Sequence, residues 1–219
     1  MSTTRNSAAA APRRIWKRMI ERERITGVIL AGGQARRMGG LDKGLVEVAG
    51  KPMIEWTIRA LQSQVGEIII NANRSLDSYR GLGATVVQDR LDDFQGPLAG
   101  LHSAFSTVRT DYLLCVPCDA PCLPSDLVRR LSDALIRENA EIAVAEAEGR
   151  LHSLHALFDC RLADDLAARL ASGERKPDRW YASRKFVRVA FDDNPEAFLN
   201  VNTPDQRDAL AAVLSKETS

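Results

Sequence analysis

The sequence predicts an α/β fold: a single domain whose mostly parallel sheet carries helices on both faces. Three observations carry this. Short apolar runs of strand length alternate along the chain with segments of helical apolar spacing. Runs such as Val28-Ile29-Leu30 and Ile68-Ile69-Ile70 are apolar throughout, as strands covered on both faces are. The 219 residues, 45% apolar and 27% charged, suit one large domain with a core that needs no staples.

The elements follow in order. Thr26-Gly27-Val28-Ile29-Leu30-Ala31 is the first strand and stops at Gly32-Gly33. Residues 53–64 place Met53, Ile54, Ile58 and Leu61 at helical spacing, with Pro52 where a first-turn proline is tolerated. Residues 67–71 are the second strand, 75–80 a short helix and 84–88 the third strand. Residues 98–108 are a helix and 111–117 the fourth strand. Residues 125–138 are an amphipathic helix with Ser125 as N-cap. Strands at 141–146 and 155–158, a helix at 162–170 and a half-exposed strand at 185–191 follow. A helix over 203–214 closes the chain, capped by Thr203 with Pro204 in its first turn. The pattern is Rossmann-like, and in such sheets ligands bind beyond the carboxyl ends of the strands. That singles out residues 32–43, 71–74, 89–100 and 118–122.

Charge narrows the function classes. Lys plus Arg is 30 and Asp plus Glu is 29, which excludes a dedicated nucleic-acid coat. No apolar run approaches the ~18 residues of a membrane-spanning helix. The bias is local. Residues 1–24 hold seven basic and two acidic side chains, and the remainder is net −4. Arg13-Arg14-Ile15-Trp16-Lys17 resembles a twin-arginine export signal, but Glu21-Arg22-Glu23-Arg24 stands where the apolar stretch belongs. Residues 1–24 are therefore read as a basic extension, flexible or a short helix, with 25–214 as the domain and 215–219 as a tail. The four cysteines, three of them between Cys115 and Cys122, do not form a secreted disulfide framework, so the expected location is cytoplasmic.

The first loop, Gly32-Gly33-Gln34-Ala35-Arg36-Arg37-Met38-Gly39-Gly40-Leu41-Asp42-Lys43-Gly44, is the most informative stretch. Its glycines let backbone N–H groups approach an anion, and Arg36, Arg37 and Lys43 can reach phosphate oxygens. It fits neither the Walker A pattern nor the Gly-x-Gly-x-x-Gly dinucleotide fingerprint. Asp119, a lone acid at the end of a buried strand, is a natural Mg²⁺ ligand beside such a loop. Cys115, Cys118 and Cys122 raise a zinc or iron–sulfur reading, opposed by the apolar setting of Cys115 and the lack of a nearby fourth thiol. Asp89 offers a carboxylate able to accept both N1–H and N2–H₂ of guanine, with Asn71 toward ribose or base. Both are equally well read as ordinary turn residues.

Residues 30–45, Leu-Ala-Gly-Gly-x-Ala-Arg-Arg-Met-Gly-Gly-x-Asp-Lys-Gly-Leu, resemble the signature of the molybdenum cofactor guanylyltransferase family, part of a wider nucleotidyltransferase class. The resemblance continues through Asn71-Ala72-Asn73-Arg74, Gly96-Pro97-Leu98-Ala99-Gly100, Cys118-Asp119-x-Pro121, Gly173-Glu174-Arg175 and Asn200-Val201-Asn202-Thr203-Pro204, spanning about 25–210. It implies a nucleotidyltransferase-type fold and transfer of GMP from GTP to the terminal phosphate of Mo-molybdopterin, with release of pyrophosphate. It implies that Leu30, Ala31, Gly32, Lys43, Asn71 and Asp89 hold GTP, and that Asp119 carries Mg²⁺ and touches the nucleotide. It marks Arg37, Gly40, Lys43, Asp119, Asn200 and Asn202 for catalysis or the pterin substrate. The chain departs from the family at His152-Ser153-Leu154-His155, where His-Pro-Thr-like residues are usual. The partners expected are the two substrates and transient contacts with other cofactor-synthesis proteins or molybdoenzyme chaperones, from a monomer or weak oligomer. A cytidylyl or sugar nucleotidyltransferase, and a non-catalytic GTP-binding partner of a chaperone, are the alternatives.

Overall fold

A computed structural model describes residues 19–32, 42–90 and 96–217. Its strands are β1 (Ile25–Leu30), β2 (Glu47–Val48), β3 (Lys51–Pro52), β4 (Glu67–Asn71), β5 (Thr85–Val87), β6 (Tyr112–Pro117), β7 (Ile142–Ala147), β8 (Arg150–Asp159) and β9 (Phe186–Ala190). Its helices are α1 (Met53–Gln62), α2 (Leu76–Arg80), α3 (Pro97–Phe105), α4 (Leu127–Arg137), α5 (Ala163–Ala171), α6 (Pro177–Ala182) and α7 (Pro204–Glu217).

Seven strands form one sheet in the order β5-β4-β1-β6-β8-β7-β9, and β2 and β3 form a separate hairpin. β1 is parallel to both β4 and β6, β4 to β5, and β7 to β9. Only β8 runs against its sheet neighbours β6 and β7. The cause is local. β7 and β8 are joined by Glu148 and Gly149, with φ of 51° and 73°. Positive φ at both residues of a two-residue loop matches the twist of paired strands, so the chain reverses there. The strands expected at 141–146 and 155–158 are thus one hairpin, the second starting at Arg150.

Period-2 alternation gives the sheet two buried faces. Val28, Leu113, Cys115, Ile142 and Phe158 share a cluster with residues of α3, α5 and α6. Their neighbours Ile29, Leu114, Val116, Ala143 and Leu157 share another with residues of α1 and α4. Such double coverage requires the continuous apolar runs that the sequence contains.

One expectation needs correction, and one element lies outside the sequence pattern. Ser125 does not cap α4, which starts at Leu127 after Asp126 with no side-chain cap. Instead Gln64, beyond the end of α1, accepts from the Val128 N–H at 3.1 Å and donates to Pro124 O at 3.0 Å. A buried amide from another element does the capping. Helix α6 was not expected at all. It is only six residues long, too short for a periodic signal, yet it buries Trp180 and Tyr181. Trp180 stacks on Phe158 with ring centroids 5.6 Å apart, and its Nε1–H donates to Asp165 at 2.7 Å.

Candidate active site

The chain runs from β1 outward to β4 and β5, then returns to β6 on the other side of β1. The strand order reverses at β1, and ligand crevices form at such switch points. Leu30 is level with Asn71 on one side and Pro117 on the other. Ala31 N–H donates to Asn71 O at 2.8 Å and Cys118 N–H to Leu30 O at 3.1 Å, so the ladder continues into the loops. Beyond these ends lies a cleft of about 530 Å³, lined by Leu30, Ala31, Gly32, Lys43, Asn71, Asp89, Asp119 and Asn200, and by Gly96, Pro97 and Leu154. The residues expected to hold the nucleotide thus converge on one cavity. Arg36, Arg37 and Gly40 lie outside the described residues.

Lys43 is the hub. Its Nζ donates to Asp119 Oδ2 at 2.5 Å and to Asn202 Oδ1 at 2.6 Å. The ion pair is largely shielded, with side-chain exposures of 22% and 15%. The other carboxylate oxygen, Asp119 Oδ1, is buried and has no hydrogen-bond partner among the described residues. A buried acceptor left open is costly unless a ligand satisfies it.

Two supports set this geometry. Lys43 opens a 3-10 turn, Lys43–Leu45, preceded by Asp42. Tyr79, fully buried on α2, donates its hydroxyl to Asp42 Oδ1 at 2.5 Å. Burial and that carboxylate push the Tyr79 hydroxyl well above its ordinary pKa, keeping it a donor. A Cβ on Gly44 would lie 2.7 Å from the same hydroxyl, which explains a residue without one. On the far side, Val201 N–H donates to Asp119 O at 2.8 Å. Asn202 N–H donates to Gln206 Oε1 at 2.7 Å, while Gln206 N–H donates to Thr203 Oγ1 at 3.3 Å. The Thr203-x-x-Gln206 capping box at the start of α7 therefore fixes the backbone carrying Asn202. That spacing was the signal available for Gln206; Tyr79 had none.

Asn71 and Asp89, which line the cleft, are bonded to one another and to Asn73. Asn71 Nδ2 donates to Asp89 Oδ1 at 2.8 Å and to Val87 O at 3.2 Å. Asn73 Nδ2 donates to Asp89 Oδ2 at 2.8 Å. A Cβ on Gly100 would overlap Asn71 Oδ1 and lie 2.9 Å from its Cγ, so α3 and this orientation of the Asn71 side chain fit together only with glycine there.

The thiols and histidines are differently placed. Burial raises the Cys115 and Cys118 thiols far above their ordinary values, with Asp119 and Asp42 adding to the effect at Cys118. Among the described residues no group of three or more His, Cys, Asp or Glu is arranged to hold a metal ion. His152 and His155, on β8, pack on Phe198 with ring centroids 4.8 and 5.0 Å away. His155 is buried, and burial with neighbouring His152 pushes it down to about 3.

Among the described residues no helix is long and apolar enough to cross a membrane. Residues 27–189 match the family described as MobA-like NTP transferase domain. The molybdenum cofactor guanylyltransferase of Shewanella amazonensis is 51% identical over 193 residues, 88% of this chain and 98% of that one. That of Shewanella woodyi is 50% identical over the same share of each. Among solved structures, the molybdopterin-guanine dinucleotide biosynthesis protein A of Archaeoglobus fulgidus superposes with a TM-score of 0.71 at 22% identity, covering 87% of this chain and 99% of that one. A nucleotidyl transferase from Methanothermobacter superposes with a TM-score of 0.69 at 19% identity, covering 88% and 98%; at these identities the likeness shows the fold. With half of the aligned residues identical to such relatives over nearly their full length, the chain belongs to the molybdenum cofactor guanylyltransferase family, nucleotidyltransferases with a MobA-like NTP transferase domain.

Proposed function

We propose that the chain transfers GMP from GTP to the terminal phosphate of Mo-molybdopterin, releasing pyrophosphate and forming the guanine dinucleotide form of the cofactor. The observation that carries this reading is the Lys43–Asp119–Asn202 cluster, whose Lys43 and Asp119 line the same cleft as the Asp89 carboxylate. The relatives' shared description as molybdenum cofactor guanylyltransferases supports the same substrates.

Asp119 suits Mg²⁺. Its Oδ1 is a buried oxygen without a partner among the described residues, and Mg²⁺ is commonly held by one or two carboxylates plus substrate phosphates and water. Bound there, the ion would neutralise phosphate charge. The chain's own residues do the rest. Lys43 places a fixed cation against the phosphates, and Arg36 and Arg37 of the first loop are proposed to add two more. The backbone at Leu30, Ala31 and Gly32 offers the tight approach that phosphate oxygens require. Asp89 and Asn71 take the base. Asn200 and Asn202, on the segment bonded to Asp119, face the acceptor. A phosphate nucleophile is already ionised near neutral pH, so displacement at the α-phosphorus needs positioning and charge stabilisation rather than a strong base.

The test is pyrophosphate release from purified protein with Mg²⁺ and Mo-molybdopterin, with GTP, CTP and ATP side by side. Turnover confined to GTP and dependent on the pterin is expected. Turnover with CTP would move the chain to cytidylyl transfer, and GTP binding without turnover would make it a non-catalytic partner.

A further inference from the structure

Asp89 does not hold its own carboxylate in place. Asn73 Nδ2 donates to Asp89 Oδ2 at 2.8 Å, and the Asp89 backbone N–H donates back to Asn73 Oδ1 at 2.8 Å. One amide and one residue are thus closed into a ring of two hydrogen bonds. Asn71 Nδ2 supplies the donor to the other oxygen. Among the described residues each carboxylate oxygen then has one side-chain donor, which leaves about two of its roughly four acceptor sites open, one on each oxygen. One open site on each oxygen matches in number the adjacent N1–H and 2-amino donors of a guanine.

Asn73 differs from its two neighbours in position. Asn71 and Asp89 line the cleft, whereas Asn73 does not. It is half-buried and reaches both the Asp89 carboxylate and Gly32, where its Nδ2 would lie 3.2 Å from a Cβ. Asp89 follows the three-residue strand β5 and has no strand pairing of its own. Without the Asn73 bonds its carboxylate would be held through Oδ1 alone, by Asn71, and the orientation of Oδ2 would have to be fixed again on binding a base.

We propose that Asn73 is a positioning residue for nucleobase selectivity, fixing the Asp89 carboxylate so that both oxygens face a base with two adjacent donors. The inference rests on the reading of Asp89 as the base acceptor and deepens it. Hypoxanthine keeps N1–H and lacks the 2-amino group, so comparing GTP with ITP reads the alignment of the second oxygen directly.

The experiment measures kcat and KM for GTP and ITP, with Mg²⁺ and Mo-molybdopterin, in the full chain and in Asn73→Ala and Asn73→Asp. Equilibrium binding of both nucleotides is measured without the pterin. In Asn73→Ala, KM for GTP is expected to rise about tenfold, the weight of one charge-assisted hydrogen bond, with kcat within about twofold. The GTP-to-ITP ratio is expected to fall at least about threefold, because ITP never used the second oxygen fully. Asn73→Asp keeps the shape and replaces an N–H···O bond by two facing carboxylate oxygens. It should lose the ratio at least as far as Asn73→Ala, which a space-filling role would not predict. Thermal melts verify folding, and the isosteric variant carries the test if the alanine variant unfolds. Parallel loss toward GTP and ITP in both variants, or an unchanged ratio, overturns the positioning role. A wild-type protein without preference for GTP over ITP, CTP and ATP overturns the reading of Asp89 itself, and this inference with it.

Discussion

Lys43 and Asn202 lie 159 positions apart in the chain and meet at 2.6 Å through Nζ and Oδ1. The same ammonium holds Asp119 Oδ2, so one cation joins the first loop, the end of β6 and the segment leading into α7. A single side-chain deletion at Lys43 should therefore remove a positive charge and loosen the segment carrying Asn202 together.

Lys43→Ala and Asp119→Ala are each expected to lower turnover by at least ~10²-fold, the usual effect of removing one preorganised electrostatic contact. Steady-state pyrophosphate release checks both. Asp119→Ala should also lose the dependence of activity on Mg²⁺ concentration; near-wild-type turnover would remove Asp119 from metal binding.

Gly100→Ala should disturb the Asn71–Asp89 pair of the cleft selectively. Its Cβ overlaps Asn71 Oδ1, so Asn71 must turn away and release Asp89 Oδ1. The expected result is a raised KM for GTP, roughly tenfold, with the protein still folded. Nucleotide titration and a thermal melt together separate this from general destabilisation.

Tyr79→Phe removes the donor to a buried Asp42 oxygen. Leaving that acceptor unsatisfied should cost about 1–3 kcal/mol of stability, measurable as a lower urea midpoint with unchanged slope. Because Asp42 precedes Lys43, turnover should fall as well, though less than in Lys43→Ala. An unchanged midpoint would mean that Asp42 finds another partner.

Acid should weaken the fold through His155. In the folded protein its pKa is about 3, against an ordinary 6.5, so it stays neutral beside His152 and Phe198. The unfolded chain takes up the proton below 6.5 and the folded one does not. Stability is therefore fully present above 6.5 and declines as pH falls toward 3, by at most about 1.4 kcal/mol per unit. Urea midpoints at pH 7.5 and 5 check this, and His155→Leu should shrink the difference. An equal loss in that variant would assign the pH dependence to other groups.

Much of this molecule is written in short stretches of its chain. Apolar runs of strand length, helical spacing between them and glycine pairs at the first strand end are local patterns, and local sterics and hydrophobic periodicity decide their outcome. They were enough for the α/β class, for helices on both faces of the sheet, and for the four strand-end segments that line the cleft. The resemblance of residues 30–45 and 200–204 carried the family.

What the chain could not declare locally is which distant groups face one another. The reversal of β8 depends on a two-residue turn at Glu148-Gly149. The cap of α4 comes from Gln64, and α6 exists because Trp180 and Tyr181 find Phe158 beneath them. Tyr79 under Asp42, Asn73 beside Asp89 and Asn202 against Lys43 are likewise pairings across elements. The physical reason is common to all. A hydrogen bond or ion pair acts over about 3 Å, and only the order of strands in the sheet brings residues far apart in the chain within that reach.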